Sequence, residues 1–533
     1  MNADRLDHRT TLCRLAAWAL LIATTAVVVF ARIRLLGIPL ERDEGEYAYT
    51  GQLILHGIAP YKLAYSMKFP GTAAAYAVLM SIFGESTIGI RAGLLVANVA
   101  TAGCIFALGR ILVGEIAGAT AAAAYSVTSL MPYVLGTAAH ATHFVALFAV
   151  AGSLLLIRAS KRNSTPLICA SGCLFGLALL MKQSGLFFAL FGAAYLLGSD
   201  WRAQLKAREI MRRTLLFILG AGLPLTIACL LLWKAGAFER FWFWTIRYAG
   251  QYGSQVSLSA GARILADHLS AVVGTAWPIW AIAAIGLVVS ALTPIARINR
   301  IFLIMFTIFS ALAVCPGFYF RPHYFILFLP AVSLLAGATI QAVLQWTKSL
   351  CPVVLLLFAP CLAWPIWSEA DFFFERPLPE ANRMINGTNP FPESVKIGEY
   401  IREHSSPSET IAVLGSEPQI YFYSQRNSAT GYIYTYGLME PQPYAHQMQE
   451  EMMREVEAAR PKFLVLVVVN KSWLAGRDSD QTILRWADSY CDANYEEVGL
   501  INISDAGTDY YFSGRPPNIT PTAEHILIYR RRS

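Results

Sequence analysis

Charge is scarce in this chain. Only 14% of its 533 residues are Asp, Glu, Lys or Arg, against 56% hydrophobic residues and a mean hydropathy of +0.47. Soluble domains carry roughly 25% charged residues, so an ordinary water-soluble enzyme is excluded and the chain falls in the membrane class. Cysteine is sparse where it could staple: of nine, only Cys491 lies in the polar C-terminal region. One thiol cannot form an internal disulfide, so that region is not cross-linked within itself. No cysteine pair has metal-ligand spacing. Repeats and low-complexity tracts are absent. The VLGSEP stretch after a strand-like run has neither Gly-x-Gly-x-x-Gly nor a Walker lysine, which excludes a nucleotide loop there. The net charge is +7, with a pI near 8.9. Its positive residues cluster between apolar runs, as topology signals do, and no nucleic-acid partner is expected.

Long apolar runs are what the chain has in quantity. Arg5, Arg9 and Arg14 precede the first, from about Leu15 to Phe30. No Ala-x-Ala site comes before Arg32 and Arg34, so this run is expected to stay as an anchor. Further runs fall at about 88–109, 116–135, 142–158, 164–181, 185–199, 214–233, 275–296, 301–316, 323–345 and 349–367. That makes about eleven spans. Residues 71–84 are too short to cross at ~1.5 Å per residue and are expected as an interfacial or re-entrant helix. With the basic amino terminus inside, most remaining positives fall on the inner side: Arg110, Arg158, Lys161, Arg162, the Arg202–Arg213 group, Arg297, Arg300 and Lys348. The outer side then receives residues 38–91, the turn at His140 and His143, Lys182-Gln183, the loop 234–273, the Arg321–Tyr324 turn and everything after Ser368.

The outer segment at residues 38–70, expected as a loop, is the densest in chemistry. Glu41, Arg42, Asp43, Glu44 and Glu46 place five charges in six positions beside a span. Ionisable groups at a bilayer boundary are expensive unless they face water, a partner or a substrate. A solvated cap on the span is one reading. The tyrosines at 47, 49, 61 and 65 and the following Lys68-Phe69-Pro70 favour another. Acid, aromatic platform and base on one segment suit proton abstraction, sugar contact and phosphate neutralisation. Glu41 and Glu46 are expected to solvate the loop, since free carboxylates usually sit at a surface. The Trp-, Tyr- and Arg-rich loop 234–273 suits an aromatic belt at headgroup level and a lid over a lipid-linked substrate.

Hydropathy falls near 368–390, marking a boundary between a membrane domain at 1–367 and a second domain at 368–533. The tail alternates helix-like stretches (393–404, 442–459) with strand-like ones (ETIAVLG, PKFLVLVVVN, HILIYRRR), and the β-branched run 461–470 has parallel-strand character. A small extracytoplasmic α/β domain is expected.

The order of these features resembles the GT-C membrane glycosyltransferases, specifically the family 39 group of protein O-mannosyltransferases and lipid A aminoarabinose transferases, and their bacterial relatives. The residues that carry the resemblance are Asp43-Glu44 after the first span, Lys68-Phe69-Pro70 before the short helix, and Gly84 with Arg91 entering the second span. Lys182-Gln183 and Arg321-Pro322-His323-Tyr324 before Leu329-Pro330 complete it. It covers roughly residues 10–345, with the tail matched in position only. Family members often show Lys-Pro-Pro at the lysine motif. Many also put an acid at the outer turn where this chain has His140 and His143, which leaves the acceptor class open.

The resemblance implies a polytopic GT-C fold in a bacterial plasma membrane, with the amino terminus cytoplasmic and the tail periplasmic. It also implies an inverting transfer of sugar from a polyprenyl-phosphate donor to a hydroxyl on a lipid, glycan or protein. By the same resemblance Asp43 is the catalytic carboxylate and Glu44 positions acceptor or sugar. A carboxylate suits the base role. On the leaving-group side, Lys68 and Arg91 would meet the phosphate, because Arg binds it bidentately and Lys as a point charge. Lys182, Arg321, His323 and Tyr324 complete the expected substrate site. No metal is required: a divalent ion could sit at Asp43 and Glu44, and the cations could replace it. The competing classes are a transporter or lipid flippase and a non-catalytic scaffold. Transporters usually carry paired repeats with interrupted helices, and none is visible here.

Overall fold

The computed structural model describes residues 2–292, 297–347, 351–504, 507–512, 514 and 516–532. Lys348 and the ends of two expected spans (293–296 and 349–350) lie outside the described residues.

Every one of the eleven apolar runs contains a helix. They lie in α1 (Asn2–Arg34), α4 (Thr87–Leu112), α5 (Glu115–Thr128), α6 (Ala141–Arg162), α7 (Thr165–Met181), α8 (Leu186–Arg202), α9 (Ala207–Lys234), α13 (Trp277–Leu292), α14 (Arg297–Val314), α15 (Leu329–Thr347) and α16 (Cys351–Ser368). Between them come α2 (Arg42–Leu55), α3 (Gly71–Phe83), α10 (Phe238–Trp242), α11 (Ala249–Gly253) and α12 (Leu258–Val273). Seven stretches among the described residues are long and apolar enough to cross a membrane, so the chain is a multi-pass membrane protein. Four of the expected spans fall short of that length or apolarity. Helix α5 has 14 residues and α8 has 17, while α7 and Pro352–Ser368 are shorter apolar helices. At ~1.5 Å per residue, 17 residues reach only about 25 Å of a ~30 Å core. Helix α5 is buried along most of its length, so protein rather than lipid surrounds it.

Two expectations for connecting segments change. The segment 38–70 is not a loop throughout: Arg42–Leu55 is helical. The loop 234–273 is helical at its far end too, because α12 runs through a short turn into α13 as one stretch, Leu258–Ser290. The expected short helix at 71–84 is present as α3.

Lipid tails are as apolar as leucine, so close backbone packing and buried polar contacts hold membrane helices together. Helices α7 and α9 show the first. A Cβ added at Gly172 would lie 2.3 Å from the carbonyl oxygen of Phe217, so the glycine is what lets the two helices touch. Arg32 shows the second. Its guanidinium donates to the carbonyls of Ser129 (2.7 Å) and Gly136 (3.0 Å), fixing the turn that leads to His140.

The tail contains a five-stranded mixed sheet in the order β1-β2-β5-β3-β4. Strand β1 (Ile411–Leu414) pairs in parallel with β2 (Phe463–Val468), Ile411 opposite Phe463. Strands β3 (Tyr495–Ser504), β4 (Gly507–Phe512) and β5 (Glu524–Arg531) add antiparallel, with β5 between β2 and β3. The run FLVLVV is apolar on both faces because both are covered, as parallel pairing requires.

Candidate active site

The acids of the first outer segment sit at the start of α2. Glu41 is its N-cap and accepts from the backbone N–H of Glu44 (2.8 Å), while Glu44 accepts from the N–H of Glu41 (3.2 Å). This reciprocal cap satisfies two otherwise orphan donors and contributes about 1 kcal/mol. The helix dipole also favours Asp43 and Glu44 in the first turn. Glu41 is therefore a capping residue rather than a solvated loop carboxylate. Burial, with Asp43 and Glu44 beside it, raises its pKa to about 8.

Asp43 faces a cavity of about 1370 Å³, open mouth included. Its Oδ1 accepts from Lys68 Nζ at 2.9 Å and from the Tyr434 hydroxyl at 3.3 Å. Burial opposes its charge, but the Lys68 ammonium together with His323 and His140 holds Asp43 well below the usual carboxylate range. Lys68 donates also to Glu46 Oε2 at 2.6 Å. Glu46 is 4% exposed, accepts from Ser66 and lines the cavity, so it is a site residue and not loop solvation. Lys68 itself lines the cavity, its ammonium shared between the two carboxylates.

Lys182, Arg321, His323 and Tyr324 also line the cavity, as expected. Lys182 follows the last residue of α7 and lies 3.8 Å from the centre of the Tyr324 ring. Burial lowers its pKa to about 7, Asp43 offsetting this only in part. Arg321 donates to the Tyr252 hydroxyl at 3.4 Å, and its guanidinium carbon is 5.7 Å from the Tyr319 ring centre. Among the described residues, neither cation makes an ion pair with a carboxylate.

Glu44 and Arg91 are not brought to the cavity. They pair with each other at 2.7 Å, both essentially buried. Glu44 also accepts from the N–H of Ala139 at 2.7 Å, and Arg91 donates to the carbonyl of Pro39. The reason is electrostatic: a wholly buried carboxylate needs a cation and several donors, and Glu44 finds them behind the cavity wall. The pair ties α2 to α4 and to the turn bearing His140. The expected ion site at Asp43 and Glu44 is therefore not formed. One ligand atom each from Asp43, His140 and His323 instead lie within 4.8 Å of one another. Burial lowers the His140 pKa to about 3, so its imidazole is neutral. His143, one turn further along α6, is buried and does not line the cavity.

The tail closes the remaining side. Tyr434, Tyr436 and Glu440 line the cavity, and Glu440 accepts from the Tyr248 hydroxyl at 2.7 Å. Arg42, next to the acid, bonds the Ser416 carbonyl, the Tyr436 hydroxyl, Asn389 and Glu417, all from the tail. Helix α2 and the helix Gln419–Ser424 approach so closely that a Cβ at Gly45 would meet the Gln419 nitrogen at 2.6 Å. Residues 389–440 were not expected at the site. The alternating tyrosines of GYIYTYG, with Glu440 after them, were the available signal.

Residues 68–233 match the family of dolichyl-phosphate-mannose-protein mannosyltransferases. The chain is also similar to ArnT from Cupriavidus metallidurans, solved bound to undecaprenyl phosphate: 14% identity, TM-score 0.60, covering 96% of this chain and 97% of that one. At that identity the likeness is one of fold, and it extends over nearly the whole of both chains. A second similar structure, oligosaccharyltransferase AglB from Archaeoglobus fulgidus in complex with an inhibitory peptide and a dolichol-phosphate, matches with 13% identity and a TM-score of 0.52. That match covers 94% of this chain and 75% of AglB. No curated protein sequence matches this chain.

Proposed function

We propose that the chain transfers a glycosyl group from a polyprenyl-phosphate carrier to a hydroxyl acceptor, inverting the anomeric centre. The observation that carries this reading is a division of labour across one cavity. Asp43 is an ionised carboxylate on one wall, and on another Lys182 and Arg321 are cations with no carboxylate partner among the described residues. Asp43 takes the acceptor proton, which a positioned carboxylate can do with a typical gain of ~10²–10⁴-fold. Lys182 and Arg321 neutralise the departing lipid phosphate, Arg by its fork of donors and Lys as a point charge. Lys68 keeps Asp43 ionised and aimed. His323 and Tyr324 shape the donor side, and Tyr434 steadies the acid. Glu44 and Arg91 support the wall from behind.

The family match and the two lipid-phosphate-bearing neighbours support a lipid-linked donor. In this reading residues 1–367 form the transferase body and residues 368–533 an extracytoplasmic domain that closes the acceptor side. The amino terminus is cytoplasmic, in a bacterial plasma membrane. The acceptor is a hydroxyl of a lipid, glycan or protein.

Asp43→Asn tests the reading. Transfer, read as the modified envelope glycan that a deletion strain loses, is expected to fall by at least ~10²-fold, with insertion and yield unchanged. Near-normal transfer by that variant would rule out Asp43 as the base.

A further inference from the structure

The part of the cavity under the tail holds polar groups that the proton and phosphate chemistry does not use. Trp244, Tyr248 and Tyr252 reach it from the connection after α9, Tyr65 from the first outer segment, and Glu440 from the tail. Trp244 is 5% exposed, and its indole N–H has no hydrogen-bond partner among the described residues. The rings of Tyr65, Phe243, Tyr248 and Tyr432 surround it with centroids 5.0 to 5.7 Å away, which fixes the indole. A buried N–H left unpaired is costly, and an oxygen bound in the cavity would remove that cost. Among the described residues, Glu440 is the tail's only carboxylate on the cavity. Both of its donors, the Tyr248 hydroxyl at 2.7 Å and Gln255 Nε2 at 3.3 Å, use Oε2. Among the same residues, Oε1 accepts no hydrogen bond and no cation pairs with the carboxylate. A Cβ at Gly437 would lie 2.7 Å from the Tyr248 hydroxyl oxygen, so glycine there leaves Tyr248 room to reach Glu440.

We infer that Trp244 and Glu440 form a saccharide subsite, in which Glu440 Oε1 accepts from a ring hydroxyl and the Trp244 N–H donates to a ring oxygen. This rests on the glycosyl-transfer reading above and gives it a specificity determinant on the tail. Sugar hydroxyls both donate and accept, and sugar C–H groups pack on the negative face of an aromatic ring. Tyr248 joins the two polar groups, its ring 5.0 Å from that of Trp244 and its hydroxyl on Glu440. They therefore stand one aromatic ring apart, which suits the width of a pyranose. A lipid chain in this place would leave both groups unpaired, and the Glu440 carboxylate would repel a phosphate. Position favours the donor's own glycosyl ring. The Arg321 guanidinium carbon lies 5.7 Å from the Tyr319 ring centre, the Tyr319 hydroxyl donates to Gln255 Oε1 at 3.1 Å, and Gln255 donates to Glu440. The anomeric carbon is one bond from a phosphate oxygen, so the ring lies beside the cation that meets the phosphate. An acceptor glycan offers the same hydroxyls, and the experiment separates the two.

Full-length protein in lipid nanodiscs is titrated at fixed pH with polyprenyl-phosphate glucose, galactose and mannose. Polyprenyl methyl phosphate, a diester of the same charge without a ring, is the reference. The wild type is expected to bind at least one hexose diester about tenfold or more tightly than the methyl diester. Glu440→Gln keeps the side-chain shape and Trp244→Phe keeps an aromatic ring. Each is expected to lose about tenfold of the hexose affinity, with methyl diester binding and melting temperature unchanged. In a second arm, transfer is titrated with an envelope extract of the deletion strain, which supplies unmodified acceptor. A rise of about tenfold in the half-saturating amount of extract, with both kinds of diester bound as in the wild type, assigns the ring to the acceptor and upholds the subsite. Variants unchanged in both arms, or weakened equally toward hexose and methyl diesters, overturn the inference and leave the transferase reading to the Asp43→Asn assay. Wild-type protein that binds neither kind of diester refutes the donor reading, and the subsite falls with it.

Discussion

Lys182 gives the site a pH dependence that can be worked out in advance. Its ammonium is buried over the Tyr324 ring. His323 also faces it; Lys68 and Arg321 oppose its charge, and Asp43 supports it. Burial is the largest influence, and the result is a pKa of about 7. A donor phosphate binds the charged form, so rising pH removes the binding-competent lysine and affinity falls. About half the empty sites carry the charge at pH 7, and about one in a hundred at pH 9. The dissociation constant for a phosphodiester donor is therefore expected to rise about fifty-fold over that interval, about 2.3 kcal/mol. A polyprenyl-phosphate hexose is the suitable probe, because a diester keeps one charge throughout the range. Lys182→Arg is expected to flatten the curve, since a guanidinium stays charged. Binding measured in lipid nanodiscs between pH 6.5 and 9 checks both. A flat wild-type curve, or an equal slope in the arginine variant, refutes the assignment of Lys182 to the phosphate.

Three other outcomes follow from the geometry. Arg91→Met strands the buried Glu44 carboxylate and is expected to cost about 3–5 kcal/mol, seen as a lower melting temperature; adding Glu44→Met should recover part of the loss. Tyr434→Phe removes one hydrogen bond to Asp43, worth about 0.5–1.5 kcal/mol, so transfer should fall by up to about tenfold without a change in melting. Glu417→Gln leaves Arg42 without its carboxylate and should cost roughly 1–3 kcal/mol. Limited proteolysis of the tail should then run faster than in the wild type.

The parts of the fold visible from sequence were those with local causes. Each apolar run became a helix, and the β-branched run at 463–468 became the parallel partner of β1. The pairing of Asp43 with Lys68 was also within reach, because 25 positions separate them on one outer segment. Helix α2 was hidden by its own composition. Five charged residues read as a loop, and the glutamate-to-glutamate cap is not the Ser/Thr signature usually sought. Arg91 looked like a phosphate ligand because an arginine entering a span needs an anion, but nothing local said that Glu44 supplies it. The tail contacts were least legible. Tyr434 reaches Asp43 across 391 positions, and no short-range pattern encodes such a pairing.

The missing side chain at Gly45 has a mechanical consequence. With backbone pressed on backbone at that point, the tail is a bearing surface for the acid-carrying helix rather than a cover laid over it. A partner that grips the tail from outside would tilt the carboxylate through this rigid stack without ever entering the cavity.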